Sequence, residues 1–187
     1  MSSIQDIVSL LHDLSPQDLD EVHGFVETVR RRARAATSNW QFDFVENFKE
    51  ASVTASRDPA GMEIKVDTAV CAGVARAALW EHPPVSGSAI IGYLVPVPTG
   101  FRKIKLKFSI GIRDGSELQT DRYVAFRVLV NGWKLWSTTK NSRVWEQHEI
   151  DMPQLSSDVA RIEFVTDGMG DNRWNWAVWG EPRLVGE

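Results

Sequence analysis

The chain divides into two parts according to the spacing of its hydrophobic positions. Over residues 4–36, apolar side chains recur at three- and four-residue steps, which is the period of amphipathic helices. From residue 40 onward, apolar and polar side chains alternate with period two, in segments separated by Pro, Gly, Asn and Asp. These patterns predict a helical segment over residues 1–38 and a β domain over residues 40–187.

The first part is predicted to form two short helices, over about residues 4–14 and 16–35. Ser15 is a suitable N-cap for the second helix, Pro16 suits its first turn, and Asp18 favours the positive end of its dipole. Helices this short do not bury their apolar stripes alone. They pack either on the β domain or on a second copy of the chain, and we expect the second arrangement, a dimeric four-helix contact.

The second part contains clear period-two segments at residues 62–68, 104–110, 123–130 and 161–166. Asn131-Gly132 stands between two such runs, which predicts a β-hairpin. No helical segment of useful length interrupts the series. The predicted fold class is therefore mainly β: an antiparallel jelly-roll β-sandwich of roughly eight or more strands, preceded by the two-helix segment.

Charge and cysteine content narrow the classes of partner. The net charge of −4 implies no general attraction to nucleic acid, and we assign the basic run over residues 30–34 to a helix C-terminus. No apolar run is long enough to span a membrane, and residues 1–20 do not have the pattern of a signal peptide. Cys71 is the single cysteine, so no intramolecular disulfide forms. We therefore expect a cytoplasmic protein.

Several segments, taken in order, resemble a known family. They are residues 78–84 (ALWEHPP), 90–98 (IIGYLVPVP), 108–116 (FSIGIRDGS), 126–133 (FRVLVNGW), 164–168 (FVTDG) and 176–184 (WAVWGEPRL). Over about residues 40–187, this order resembles galactose-binding-domain-like β-sandwiches, particularly the NPCBM-type carbohydrate-binding modules attached to glycoside hydrolases. The resemblance implies a two-sheet jelly roll whose inter-strand loops hold sugar, often with a structural calcium nearby. Separately, residues 15–32 (SPQDLDEVHGFVETVRRR) resemble the short helical modules of small antitoxin-like proteins.

The eight tryptophans supply candidates for binding a sugar. Proteins hold sugars by stacking them on aromatic rings and by reading their hydroxyls with a few polar groups. The aromatic candidates close to turns are Trp133, Trp136, Trp174 and Tyr123, and the candidates for forked donors are Arg113, Arg143 and Arg173. The alternative for each tryptophan is packing in the core, and for each arginine a solvated charge or an internal ion pair. Trp176 and Trp179 are predicted to be core residues.

A cation is the only cofactor that the residues suggest. Asp167, Asp171 and Asn172 place hard oxygen ligands close together in a glycine-rich loop, and calcium prefers such ligands. The spacing does not match that of an EF-hand loop. An Asp- and Gly-rich turn without metal is the alternative.

Catalytic motifs are absent from the sequence. It contains no HExxH, no GxSxG and no P-loop, and the apolar neighbours of Cys71 indicate an inert core thiol. The sequence therefore predicts a non-catalytic module that binds a glycan or another small polar ligand and oligomerises through its N-terminal helices. The alternative is a structural, self-assembling protein whose helices and sandwich make protein–protein contacts.

Overall fold

A computed structural model describes residues 11, 14–20, 22–24, 26, 40–98, 101, 103–119, 121–155 and 158–187. Eleven strands lie among these residues, and all their pairings are antiparallel. They are β1 (Gln41–Asp43), β2 (Ser52–Ala55), β3 (Lys65–Cys71), β4 (Val74–Trp80), β5 (Ser88–Pro96), β6 (Ile104–Ile112), β7 (Val124–Val130), β8 (Trp133–Lys140), β9 (Glu146–Asp151), β10 (Val159–Asp167) and β11 (Ala177–Gly186).

The strands form two sheets that pack face to face. Sheet A has the order β3-β4-β11-β6-β9, with β1 also paired to β11, and sheet B has the order β2-β5-β10-β7-β8. The chain passes between the sheets at residues 56–64, 81–87, 113–123, 141–145 and 168–176, and strand register places these five connections at one end of the sandwich, which we call the loop end. The predicted antiparallel β-sandwich is confirmed.

The core between the sheets follows from the period-two pattern. In β6, Leu106, Phe108 and Ile110 point inward, while Lys105 and Lys107 lie on the outer face. Trp179 of β11 is fully buried at the centre of this core, with its ring 5.1 Å from that of Phe126 on the opposite sheet. The alternation read from the sequence is thus what gives each sheet one apolar face.

The helical prediction falls mostly outside the described residues. Residues 16–20, 22–24 and 26 are helical, in agreement with the second predicted helix. Leu11 of the first predicted helix is also helical, but most of that helix, the basic run and the boundary near residue 38 are outside the described ranges. Ser15 caps as predicted, because its Oγ accepts a 3.3 Å hydrogen bond from the Asp18 amide. Within the described residues, no helix has the length and apolar character needed to cross a bilayer.

The hairpin between β7 and β8 has the predicted turn. Asn131 and Gly132 have φ angles of 50° and 82°. Positive φ at both central residues defines the type I′ turn, whose twist matches that of the flanking strands. The Asn131 side chain also accepts a 2.8 Å hydrogen bond from the amide of Arg161 in β10, which attaches the turn to its sheet.

Replacing Gly132 by alanine is expected to lower the free energy of unfolding by about 1 kcal/mol, because alanine disfavours positive φ. A Cβ at Gly132 would meet no atom within 4 Å, so the cost is purely conformational. Gly61→Ala is the matched control, since its Cβ also meets nothing within 4 Å and its φ is not positive. Urea unfolding of both variants checks this. Equal stabilities would contradict it.

A second, smaller apolar cluster lies on the outer face of sheet A. The β3–β4 hairpin bends over this face, where Ala69 and Cys71 contact Ala78 and Val178. Burial raises the pKa of the Cys71 thiol to about 12, in agreement with the predicted inert cysteine. The cluster also holds Trp145, whose ring would lie 2.8 Å from a Cβ at position 180. Glycine at position 180 therefore makes room for a tryptophan.

Candidate functional site

The loop end gathers most of the ligand-binding candidates predicted from the sequence. Arg113 directly follows β6 and Tyr123 directly precedes β7, while Arg143, Arg173 and Trp174 lie on two further connections. The connections touch one another, since the carboxylate of Asp171 forms a 3.2 Å ion pair with Nε of Arg122 on the neighbouring connection. Strand topology thus brings together residues that are up to 61 positions apart in the sequence (174 minus 113).

Trp174 has an unusual backbone conformation. Its φ is 65°, in the left-handed region, where a bulky residue typically costs about 1–3 kcal/mol. Hydrogen bonds of the same connection maintain this conformation: the Asp171 amide donates to the Gly168 carbonyl at 3.1 Å, and the Asn175 amide to the Asn172 carbonyl at 3.3 Å. Strain of this kind concentrates at binding and catalytic sites.

Trp174 is the end member of a row of aromatic and cationic side chains. Its ring centroid lies 5.5 Å from that of Trp176, and the guanidinium carbon of Arg113 lies 4.9 Å from the centroid of Trp176 and 3.4 Å from that of Trp80. We call Trp174, Trp176, Arg113 and Trp80 the tryptophan–arginine row. A guanidinium near an aromatic ring is attracted to the electron-rich face. Arg113 is therefore held between the rings of Trp80 and Trp176, and Trp176 in turn contacts Trp174.

Arg113 is additionally paired with an acid. Its Nη2 atom lies 3.0 Å from Oε2 of Glu63, and its side chain is 14% exposed. The aromatic contacts and the ion pair together leave this arginine little freedom to turn toward a ligand. Its position indicates that it orders the row, whereas Trp174 is the half-buried residue at the end of the row.

The other arginines of the loop end also have internal partners. Arg173 holds Asp171 through a 2.8 Å bond from Nη2 to Oδ2 and a 3.1 Å bond from Nε to Oδ1. The hydrogen bonds from Arg173, helped by the charge of Arg122, hold the pKa of Asp171 well below its ordinary value. Arg143 donates a hydrogen bond to the backbone carbonyl of Ser116. Arg173 nevertheless remains accessible, with 69% of its side chain exposed.

The three residues predicted to bind a cation lie on or beside connection 168–176. Asp167 ends β10, where its Oδ1 accepts a 2.8 Å hydrogen bond from the Met169 amide and its Oδ2 lies 3.3 Å from Nη1 of Arg127. Asp171 is held by arginines, and Asn172 is the next residue along the chain. Across the described part of the chain, no group of three or more His, Cys, Asp or Glu residues is placed to hold a metal ion.

The structure places Trp133 and Trp136 away from the loop end. Trp133 follows the Asn131-Gly132 turn at the opposite end of the sandwich and is 82% exposed. Trp136 packs against the core, with its ring 5.0 Å from Phe108 and 4.6 Å from His148. Of the two tryptophans that were predicted to be core residues, Trp179 is fully buried, and Trp176 is half-buried against the core.

Sequence reasoning missed Trp80, Glu63 and Arg122 as parts of this end. Trp80 stood in the segment that carried the family resemblance, but nothing in its spacing relates it to Arg113, 33 positions later (113 minus 80). Trp176 was assigned to the core. It does pack against the core, but its ring also contacts Trp174 at the loop end. The contacts depend on β4, β6 and β11 being neighbours in sheet A, which no local pattern indicates.

A fully buried acid lies beneath the loop end. Glu81 directly follows β4, and its Oε2 accepts a 2.7 Å hydrogen bond from Nε1 of Trp179. The hydroxyl of Thr166 donates to the Glu81 carbonyl at 2.9 Å. Burial raises the pKa of Glu81 well above its ordinary value, although the hydrogen bonds that it accepts oppose this rise. Glu81 therefore ties connection 81–87 to the centre of the core.

Comparison with known proteins places this geometry among solved structures. No protein-family model matches the sequence, and no curated protein matches it. Solved structures do match. The CBM51 module of a GH95 enzyme from Clostridium perfringens, in complex with methyl-galactose, has a TM-score of 0.52 and 13% identity, covering 78% of this chain and 99% of that one. The fold is a galactose-binding-like β-sandwich. The resemblance to carbohydrate-binding modules predicted from the sequence is thus confirmed at the level of the fold.

A second match shows the same sandwich within a larger protein. The structure of the M60 catalytic domain of Clostridium perfringens ZmpB with its CBM51-1 and CBM51-2 domains has a TM-score of 0.52 and 16% identity. The match covers 78% of this chain and 15% of that one. At these identities, the likeness of the galactose-binding-like sandwich is one of fold. The resemblance of residues 15–32 to antitoxin-like modules stays a prediction.

Proposed function

We propose that this protein is a non-catalytic carbohydrate-binding module whose ligand stacks on Trp174 at the loop end. The observation that carries the proposal is the conformation of Trp174: a tryptophan at a φ of 65°, packed on Trp176 at the tip of the tryptophan–arginine row. The CBM51 structure with methyl-galactose, which has the same fold, supports the choice of ligand class.

The surroundings of Trp174 supply the two kinds of contact that a sugar needs. The indole offers a flat apolar surface for the C–H face of a pyranose, and its packing on Trp176 limits the entropy lost on binding. Arg173 and Tyr123 are exposed, lie on adjoining connections and bear groups that hydrogen-bond hydroxyls. A surface that combines an aromatic ring with such polar groups suits the binding of a sugar.

A glycan array probed with the full-length chain tests the proposal. Galactosides and N-acetylglucosamine glycans are the first probes, because similar sandwiches have been solved with methyl-galactose and GlcNAc. We expect saturable binding to a related group of sugars, followed by titration calorimetry on the best of them. An array without any signal from folded protein displayed multivalently would contradict the proposal, because multivalent display reveals even weak sites.

A second candidate function, self-assembly, is favoured by the described part of the N-terminal helix. Leu19 and Val26 are 39% and 44% exposed, although both belong to its apolar stripe. Apolar residues on a short helix need a neighbour to stabilise it. We propose that a second copy of the chain covers this stripe. Association would also place two loop ends on one particle and strengthen weak glycan binding through avidity.

Sedimentation equilibrium of the full-length chain tests this association. We expect a dimer, and we expect Leu19→Asp to shift it to a monomer because a charge replaces an apolar contact. Gln17→Asp is the control, since it adds the same charge at an exposed polar position of the same helix. A wild-type chain that stays monomeric at about 100 μM would contradict the proposal, because obligate interfaces form far below that concentration.

A further inference from the structure

The carboxylates of the loop that could hold a cation already have cationic partners. Both oxygens of Asp171 accept hydrogen bonds from Arg173, at 3.1 Å for Oδ1 and 2.8 Å for Oδ2, and Oδ2 also lies 3.2 Å from Nε of Arg122. In Asp167, Oδ2 lies 3.3 Å and 3.4 Å from the two terminal nitrogens of Arg127. Three arginines therefore face two carboxylates.

This arrangement does not fit calcium. Calcium takes about six to eight oxygen ligands at roughly 2.3–2.6 Å, with carboxylates directed at the ion. Here the oxygens of Asp171 are directed at guanidinium groups of Arg173 and Arg122, which a calcium ion would have to displace. The local charge is also unfavourable: three guanidinium groups against two carboxylates leave a net positive charge of one, which repels a dication.

The ion pair between Arg122 and Asp171 also connects two different parts of the loop end. Arg122 precedes β7 on connection 113–123, whereas Asp171 lies on connection 168–176, which carries Trp174. Both side chains are largely shielded, at 19% and 29% exposure, so the pair is screened less than a fully exposed one. Like a bridging metal ion, this ion pair links two segments of the chain through the attraction of opposite charges.

We propose that Arg122 replaces a structural cation at the loop end, so that the conformation of connection 168–176 and ligand binding by Trp174 are independent of calcium. The part concerning binding rests on the proposed function. The part concerning the loop does not, and it can be tested without any sugar. Arg122 is a positioning residue in this proposal, since it acts on Trp174 through Asp171.

Thermal unfolding of the full-length chain tests the independence of calcium. The Tm is measured in about 5 mM calcium chloride and in excess EDTA, since weak extracellular modules bind calcium with a Kd of about 0.1–1 mM. We expect the two Tm values to agree within about 1 °C, because an ion that does not bind the folded state does not stabilise it. A higher Tm in calcium chloride than in EDTA, if it is absent from the Asp171→Asn variant, would overturn the proposal.

Hydrogen exchange tests the positioning role. In Arg122→Gln, the amides of residues 168–176 are expected to exchange about tenfold faster than in the parent, because the tie to the neighbouring connection is lost. Arg161→Gln is the matched control: Arg161 also forms an ion pair, at 2.7 Å to Glu163, but on β10 outside the loop end. Exchange that is unchanged in Arg122→Gln, or equally faster in both variants, would overturn the role of Arg122 whether or not a glycan binds.

Discussion

Replacing Trp174 by alanine is expected to weaken glycan binding by roughly 30-fold, which corresponds to about 2 kcal/mol. The variant removes the outer ring of the tryptophan–arginine row and leaves Trp176, Arg113 and Trp80 in place. Tryptophan side chains are typical anchors of binding sites, because they bury a large area with little loss of entropy. Titration calorimetry with the best array ligand checks the prediction.

Trp133→Ala is the matched control for this experiment. It removes the same side chain from a more exposed position, 82% accessible, at the opposite end of the sandwich. Its glycan affinity is expected to equal that of the parent within about twofold, since substitutions away from a site are usually near neutral. If both variants bind as the parent does, the ligand does not contact Trp174. If both lose binding equally, the loss does not come from the loop end.

A glycine at position 174 separates the backbone strain from the ring. Trp174→Gly and Trp174→Ala both remove the indole, so their glycan affinities should be equally low. Glycine, however, accepts a φ of 65° without strain, so the glycine variant should be more stable than the alanine variant by about 1 kcal/mol. Equal stabilities would show that the connection relaxes to another conformation once the ring is gone.

Glu81→Gln is expected to stabilise the protein increasingly as the pH rises. Burial raises the pKa of Glu81 in the folded state, whereas in the unfolded chain the carboxyl ionises near its ordinary value of 4.5. Between these two values the folded protein retains a proton that the unfolded chain has released, so the free energy of unfolding falls as the pH rises. Glutamine has no proton to release and so removes this loss.

The difference between Glu81→Gln and the parent is expected to be smallest at about pH 4 and to grow as the pH rises above 4.5, the ordinary pKa at which the unfolded chain releases its proton. Glutamine keeps an oxygen that can accept the hydrogen bond of Trp179. Urea unfolding at a series of pH values from about 4 to 8 measures the difference. A difference that stays constant with pH would show that the pKa of Glu81 is the same in the folded protein as in the unfolded chain.

Glu81→Ala supplies the contrasting variant. It removes the acceptor of the Trp179 indole and opens a cavity next to the largest side chain of the core. Relative to Glu81→Gln, we expect a loss of about 3 kcal/mol at all pH values, from the unpaired N–H and the lost packing, because neither variant has a carboxyl that titrates at this position. Stabilisation by glutamine together with destabilisation by alanine would identify the charge of Glu81, and not its volume, as the unfavourable element.

Several features of this protein follow from short-range patterns, and these were predictable. The alternation in β6 and β7 determines which side chains face the core, because successive residues of a strand point to opposite faces. The Asn131-Gly132 pair determines a type I′ hairpin, since both residues tolerate positive φ. Ser15 determines the start of a helix, because its hydroxyl oxygen accepts a hydrogen bond from the Asp18 amide. Each depends on only a few neighbouring residues.

Whether Trp133 and Trp136 are exposed or packed on the core depended on more than the sequence of their own strand. The two residues stand three positions apart in β8, and the same argument selected both as ligand candidates. The ladder between β7 and β8 is irregular between Val128 and Leu129, so that Trp136 pairs with Val128 and Trp133 with Val130, two residues on the same face of β7. Trp133, however, is the first residue of β8, next to the turn at the end of the sheet. Trp136 then packs on Phe108 of the other sheet, while Trp133 remains exposed. Bulges are not visible in a period-two pattern.

What the sequence by itself determined here is the set of strands, their inward faces, the turns and, through the order of its segments, a galactose-binding-like sandwich. Only the tertiary structure decided that Arg113 stands between Trp80 and Trp176, and that Arg122 and Arg173 hold Asp171. The physical reason is that strands distant in the sequence become neighbours through sheet order. Side-chain chemistry at the loop end is therefore set by which strands lie side by side, and not by the residues adjacent along the chain.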